Sequence, residues 1–375
     1  MLSFKKAPCF VLLSLISFSW VPAPALAAPR ISTFKGHPPI HMMGTASASP
    51  CGLGPSQIKA AYHLPSTGGK GTIAIIDAFD DVQIERDLSV FSKQFTLAPC
   101  TTANGCFEKH KMVSGIKSNA GWSYETSLDV EWAHAIAPQA KILLIETASG
   151  RGSDLLAAVD YAAARGDVVA VSMSWGGTEF QGEGDLDSHF SGSKIYFASS
   201  GDHGTGVSWP AVSSKVIAVG GTTLAISTST QKIHETAWSG SGGGVSAYLS
   251  QPSYQKDYSI PKAKGMRAVP DVSFNADPAT GFAVFRSPSK TITSKTKGWY
   301  MLGGTSAGAP QWAAIQALGH SVSLGELYAD KASPGNAAFF RDITSGSNGD
   351  CTYYCDARRH YDYVTGLGSP LTVEF

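Results

Sequence analysis

The chain has 375 residues, its 29 Lys+Arg balance 29 Asp+Glu, and only 15% of it is charged, against roughly 25% in an average soluble protein. A hydrophobic fraction of 43% excludes a disordered chain. Zero formal net charge argues against nucleic acid or anionic lipid as the main partner.

Lys5 and Lys6 precede an apolar run from Phe10 to Val21, followed by Pro-Ala-Pro-Ala25-Leu26-Ala27. A basic start, an apolar stretch of about 12 residues and an A-x-A site read as a secretory signal peptide over residues 1–27. That run is shorter than the ~20 residues of a membrane span, and no later stretch is long and apolar enough. Export to an extracellular or periplasmic space makes disulfides available. Cys100 with Cys106, and Cys351 with Cys355, bracket short loops and are plausible local pairs, leaving Cys51 odd. A zinc reading of Cys351 and Cys355 lacks a second ligand pair.

Residues 28–52 are rich in Pro, Gly, Ser and Ala without periodicity and are expected to form a flexible lead-in. A capped helix start at Pro55-Ser56-Gln57-Ile58 opens the structured part, residues 53–375, read as one domain. Short apolar runs follow at Thr72–Asp77, Lys141–Glu146, Val168–Met173, Lys194–Ser199 and Lys215–Gly220. Helical patterns at Asp81–Phe95, Glu125–Ala137, Ser153–Arg165 and Ser306–Leu318 alternate with them. This alternation predicts an α/β fold with a mostly parallel sheet and helices on both faces. Such sheets bind ligands at the carboxyl ends of their strands. Gly68-Gly69-Lys70-Gly71-Thr72 is not a P-loop, because Gly71 stands where a hydroxyl should follow the lysine. Gly240–Gly244 lacks a dinucleotide fingerprint and reads as a flexible loop.

Ser306 lies in Gly303-Gly304-Thr305-Ser306-Ala307-Gly308, ahead of a helix. Small neighbours expose its hydroxyl, and a helix N-terminus favours developing negative charge; the plainer reading is an N-cap. A serine nucleophile needs a base. Asp77, His203 and Ser306 follow the chain order of subtilisin, but His203 precedes Gly-Thr-Gly, a poor helix start, and lies far from Asp77. Glu125 and Asp129 share one helical face at i and i+4, where like charges raise one pKa and share a proton. Such a pair acts as a base in acid, where histidine is protonated; standing alone, it reads more readily as a solvated acidic face. Asp202, in Ser199-Ser200-Gly201-Asp202, either caps a turn or, if protonated, donates to an oxyanion.

These three motifs, in this order, resemble the sedolisins, the serine-carboxyl peptidases, over roughly residues 53–370. Ile75–Asp81, Val171–Gly177, Ala218–Thr223 and Val269–Gly281 support the likeness. The resemblance implies a subtilisin-like fold and a secreted endopeptidase working in acid on peptide or protein substrates. It makes Ser306 the nucleophile, Glu125 the base, Asp129 its proton-coupled partner and Asp202 the oxyanion-side carboxyl. Ser174-Trp175-Gly176-Gly177 resembles the segment that pairs with substrate backbone. Asp342 and Asp362, with the carbonyls of Ile343, Arg358 and His360, resemble the family's calcium site. Relatives usually carry glycines where Arg358-Arg359-His360 stands here. Sedolisins are commonly made with a large propeptide, for which the lead-in is too short. The expected state is a monomer without nucleic acid. A subtilisin-like Ser-His-Asp enzyme and a non-catalytic secreted binding protein remain as alternatives.

Overall fold

The computed structural model describes residues 31–227, 229–230, 232–288, 296–319, 322–329 and 339–371. The expected signal peptide, residues 1–27, lies outside them. In chain order the framework is β1 (His41–Ser47), α1 (Pro55–Ala61), β2 (Thr72–Ala78), α2 (Ile84–Gln94), β3 (Phe107–Lys111), α3 (Ala120–Ile136), β4 (Lys141–Thr147), α4 (Gly152–Ala164), β5 (Val168–Met173), β6 (Ile195–Ser199), β7 (Val216–Ile226), β8 (Ile233–Ala237), β9 (Val272–Asn275), β10 (Phe282–Arg286), β11 (Gly298–Gly303) and α5 (Gly308–Ala317). An eight-stranded sheet runs β8-β7-β6-β5-β2-β4-β3, with β9 also paired to β7. All its pairings are parallel except β8 on β7.

The continuous apolar runs have the expected cause. Every residue of β2 is buried, because both faces of the sheet are covered. Ile73 and Ile75 pack with Leu88 and Phe91 of α2, Leu128 and Trp132 of α3 and Trp312 of α5. Ala74 and Ile76, facing the other way, pack with Leu155, Leu156 and Val159 of α4. The disulfides Cys100–Cys106 and Cys351–Cys355 are formed, and Cys51 is a free, half-buried thiol.

Two expectations are corrected. The lead-in is not a loose tether: Lys35 bridges Arg151, His37 bridges Gly176, and β1 pairs antiparallel with β11. Its order comes from backbone pairing to strand edges, which requires no periodic side-chain pattern. Nor is Gly240–Gly244 flexible. Residues 241–244 are buried, and a Cβ on Gly242 or Gly243 would lie 2.2 Å from the Ser200 oxygen or 1.9 Å from the Tyr363 oxygen. Glycine is required there by close approach of two backbones. Gly243→Ala should cost about 1–3 kcal/mol, as overpacking does, read as a lowered midpoint in urea with an unchanged slope.

Candidate active site

Four chain segments meet at the carboxyl edge of the sheet: the end of β2, the turns after β5 and β6, and the start of α5. The buried helix α3 lies beneath them.

Helix α3 is capped by Asn119, whose side chain accepts from the Trp122 amide at 3.2 Å. Nearly all of it from Trp122 to Ile136 is buried, because it is packed between α2, α5, β2 and β10. Glu125 and Asp129 therefore face inward, not water, which removes the solvated-face reading. Burial drives the Glu125 carboxyl well above its ordinary pKa, and the Asp129 and Asp77 charges add to it; the Ser306 hydroxyl beside it pulls the other way. Asp129 is also raised, by burial first and then by Asp77, while Ser174 and Glu125 oppose the shift. Asp77, at the end of β2, is fully buried and pushed up to about 7, chiefly by desolvation. Three buried carboxyls thus lie close enough to act on one another.

Ser306 sits in a short 3-10 turn, Thr305–Ala307, that leads into α5. Gly304 ahead of it has φ +126°, and a Cβ there would lie 2.1 Å from the Pro39 oxygen and 2.6 Å from Asp202 Oδ2. The turn is pinned to the loop after β6. Asp202 Oδ1 accepts from the Thr305 amide at 2.8 Å and its hydroxyl at 2.7 Å, and the Gly201 amide donates to Thr305 Oγ1 at 3.1 Å. Burial raises the Asp202 carboxyl, against the hydrogen bonds from His41 and Thr305. The Ser306 hydroxyl donates to the Pro39 carbonyl oxygen at 2.8 Å.

The segment after β5 divides its work between side chain and backbone. Ser174 Oγ donates to the Ser306 carbonyl at 3.1 Å, and Trp175 Nε1 to the Ile76 carbonyl at 3.1 Å, so both side chains brace the site from inside. Gly176 presents backbone to the cleft and exchanges hydrogen bonds with His37 at 3.0 and 3.2 Å. Gly177 pairs with Trp209. Beside it lies a cavity of about 660 Å³ lined by, among others, Ser200, Asp202, Thr205 and Glu179.

Glu125 thus lies beside Ser306 and Asp129, and Asp202 is bonded to the neighbouring Thr305. His203 is exposed on the cavity rim, whereas Asp77 faces Thr126, Asp81 and the α3 carboxyls. The Asp77–His203–Ser306 line does not form. Sequence reasoning took Asp77 only as a partner for histidine, although its place at the end of a buried strand was legible. Pro39 and His41, whose Nε2 lies 3.1 Å from Asp202 Oδ2, carried no sequence signal.

Away from the cleft, Asp342 Oδ2 accepts from the His360 amide at 3.1 Å and Asp362 Oδ2 from the Arg358 amide at 3.2 Å. Two distant carboxylates therefore converge on one turn. His360 holds φ +65°, in the left-handed region that favours glycine. Arg358 turns aside, 4.6 Å over the Tyr353 ring and 3.0 Å from Asp356.

A family model for the subtilases matches residues 112–325. Kumamolisin of Bacillus sp. (strain MN-32) is 31% identical over 371 aligned residues, covering 87% of this chain and 63% of that protein. Sedolisin of Pseudomonas sp. (strain 101) is 27% identical, covering 86% and 60%. A solved structure of Pseudomonas sedolisin, a serine-carboxyl proteinase complexed with pseudo-iodotyrostatin, superposes with a TM-score of 0.67 at 26% identity, over 87% of this chain and 96% of that one. The chain belongs to the subtilase family and, within it, to the sedolisins. Its fold is the subtilisin-like α/β fold. It spans less than two thirds of the length of those two curated relatives.

The buried carboxyls set the direction of the pH response. Asp81 and Asp87 are each raised to about 6 and Asp77 to about 7, all chiefly by burial. The fold therefore holds these protons more tightly than the unfolded chain does. Their stabilisation is complete below the unfolded carboxyl value of about 4 and is lost as pH rises through the folded values. Asp167, lowered by Arg165, acts oppositely but only in stronger acid. The melting temperature should be higher at pH 5 than at pH 8, by calorimetry without added metal.

Proposed function

We propose that this chain is a secreted serine-carboxyl endopeptidase that hydrolyses peptide bonds in acid. The observation that carries this reading is Ser306, its hydroxyl 2.8 Å from a peptide carbonyl oxygen and beside the buried Glu125. In this reading Ser306 Oγ attacks the substrate carbonyl carbon as Glu125 takes its proton. Asp129 holds the second proton of the pair and orients Glu125, with Asp77 adding a third coupled carboxyl. Asp202, kept neutral, donates to the oxyanion. Glu125 returns its proton to the leaving amine, giving the acyl-enzyme. Glu125 then deprotonates the water that releases the acid and restores Ser306. The Gly176 backbone aligns the substrate as an added strand. The base limb requires one charge on the Glu125–Asp129 pair, and the oxyanion limb requires the Asp202 proton, so activity is bell-shaped in pH.

The domain assignment is part of the same proposal: residues 53–375 form the peptidase domain, 28–52 an arm, and 1–27 an export signal. The two disulfides fit an oxidising compartment. The working unit is taken to be a monomer acting on peptide or protein chains.

A calcium ion fits the second set of residues. Asp362 is pushed up to about 7 and Asp342 is raised, both mainly by burial, a cost that a cation relieves. The two carboxylates and the carbonyls of Ile343, Arg358 and His360 would hold it. Its role there is structural, since an oxygen-bound calcium stiffens the turn that joins them.

With a denatured protein substrate between about pH 3 and 7, Ser306→Ala and Glu125→Gln should each lower kcat by at least about 10⁴-fold. Asp202→Ala should cost about 10²–10³-fold, and His203→Ala should leave kcat within about threefold, far below the loss from removing any triad member. Loss of turnover in His203→Ala with Glu125→Gln active would reinstate the subtilisin-type reading; no hydrolysis by the parent chain would favour a binding protein. For the ion, chelator-treated protein given calcium at about 100 times Kd should gain roughly 2.7 kcal/mol and melt a few degrees higher. An unchanged melt removes the structural ion.

A further inference from the structure

At the C-terminal end of α3, His134 is fully buried against the loop that leads into β3. One atom from each of Cys100, Cys106 and His134 lies within 4.8 Å of the other two. The ring is oriented by its Nε2, which lies 2.9 Å from the Ala98 carbonyl oxygen. A carbonyl only accepts, so the proton sits on Nε2 and Nδ1 keeps its lone pair. Nδ1 is buried and has no hydrogen-bond partner among the described residues, which in a folded interior calls for a reason. Burial lowers the pKa of the ring and so favours neutral imidazole. The two sulfurs are kept adjacent by more than their own bond. Asn104 Oδ1 accepts from the Thr101 amide at 3.1 Å and the Cys106 amide at 3.0 Å, and Asn104 Nδ2 donates to the Pro99 carbonyl at 2.8 Å. The Phe107 amide donates to the Thr101 carbonyl at 3.1 Å, and the Ile142 amide to the Cys106 carbonyl at 2.8 Å. These bonds hold the loop closed whether or not the cysteines are oxidised.

We propose that Cys100, Cys106 and His134 are a redox-gated site for zinc, closed while the disulfide is formed and opened when a dithiol reduces it. The dithiol gives two electrons and two protons to the Cys100–Cys106 bond and is itself oxidised to a disulfide. Zinc then takes the place of the two thiol protons, which pass to water. Two thiolates balance the charge of one divalent ion, so the unit that is buried is neutral. Thiolate and neutral imidazole are ligands that zinc accepts. With Zn–S of about 2.3 Å and Zn–N of about 2.0–2.1 Å, the ligand atoms of a tetrahedral ion stand roughly 3.5–3.8 Å apart, inside the span these three residues already occupy. A ligating histidine ordinarily donates its other N–H to a carboxylate or a backbone carbonyl, as His134 does to Ala98. Three protein ligands leave a fourth position for water, and Cys106, the half-buried member, is where solvent reaches the site. The bond and the ion fasten different parts. The disulfide closes the loop on itself, whereas the ion ties the loop to α3. The helix that carries Glu125 and Asp129 thus gains a clamp in thiol-rich surroundings, where the loop loses its own.

Cobalt reads such a site, because sulfur bound to it gives a charge-transfer band in the near ultraviolet and a tetrahedral environment gives intense visible bands. The full chain is reduced with dithiothreitol, freed of it by gel filtration without oxygen, and titrated with cobalt chloride beside the oxidised chain. The reduced chain should take up cobalt with both sets of bands and lose them when zinc is added, and the oxidised chain should show neither. A reduced chain without the charge-transfer band overturns the proposal, and so does an equal band in the oxidised chain. Cobalt held by carboxylates alone, as at Asp342 and Asp362, gives no such band and is not confused with it. Cys100→Ser should abolish the parent spectrum and Cys351→Ser should keep it; the reverse places the ion at the other cysteine pair and overturns the assignment. His134→Gln retains an N–H for the Ala98 carbonyl and should weaken cobalt at least about tenfold, the loss typical of removing even an outer partner. Unchanged affinity in that variant removes His134 from the site. Melts before reduction check that each variant is folded. If one is not, the parent chain still decides: zinc should raise the melting temperature of the reduced form more than that of the oxidised form, and equal shifts sink the site.

Discussion

The constraint on which this site depends is the burial of acidic side chains with no cation beside them. A carboxylate moved into a low-dielectric interior is costly, and the cheapest response is to hold its proton. The fold does supply a cation where a permanent charge is wanted: Asp271 is fully buried and Arg267 lies 2.6 Å from it. Among the described residues no cation pairs with Glu125, Asp129 or Asp77, and the leading cause of each shift is desolvation. Their chemistry is therefore proton sharing rather than ion pairing. In neutral water this arrangement strains the fold; in acid the same groups become neutral and the strain vanishes.

That constraint explains why α3 has no wet face. A helix that brings Glu125 beneath Ser306 must pass through the core, so α2, α5, β2 and β10 close around it. Burial on all sides usually marks a wholly apolar helix; here Glu125, Asp129, Glu131 and His134 are buried as well. The exceptions are handled one by one. Glu131 accepts the Phe285 amide at 2.9 Å and His134 lies 2.9 Å from the Ala98 carbonyl. At Glu125 and Asp129 the neighbours are Ser306, Ser174 and one another. The acidic groups of the helix that are not tied off by backbone are those beneath Ser306.

Much of the fold was legible because its strands are buried on both faces. Runs such as Lys141–Glu146 mark a parallel sheet by composition alone, and β4 extends just one residue further. Glu125 and Asp129 were legible as a pair from their spacing, but not as buried, since a period of four residues is shared by wet and dry faces. Ser306 was legible from its small neighbours, although the need for Gly304 appears only when Pro39 and Asp202 are placed against it. Gly240–Gly244 was misread for the same reason: a glycine run looks flexible until the backbones of Ser200 and Tyr363 are seen pressing on it. Asp77 was weighed only against His203 and set aside with it, because sequence order cannot say which side chain faces which.

Residues 31–47 were the least legible, and the reason bears on the cleft itself. Helices and two-sided strands write their burial into a side-chain period, whereas a segment paired at one edge is held by amides and carbonyls that every residue but proline carries in full. His37 on Gly176 and Gly36 on Gly150 are such pairings. A groove that grips backbone leaves no pattern in what it grips. The feature that hid this segment from sequence reasoning is thus its mode of attachment, backbone to backbone, along a groove whose neighbouring cavity is lined by side chains such as Glu179 and Thr205.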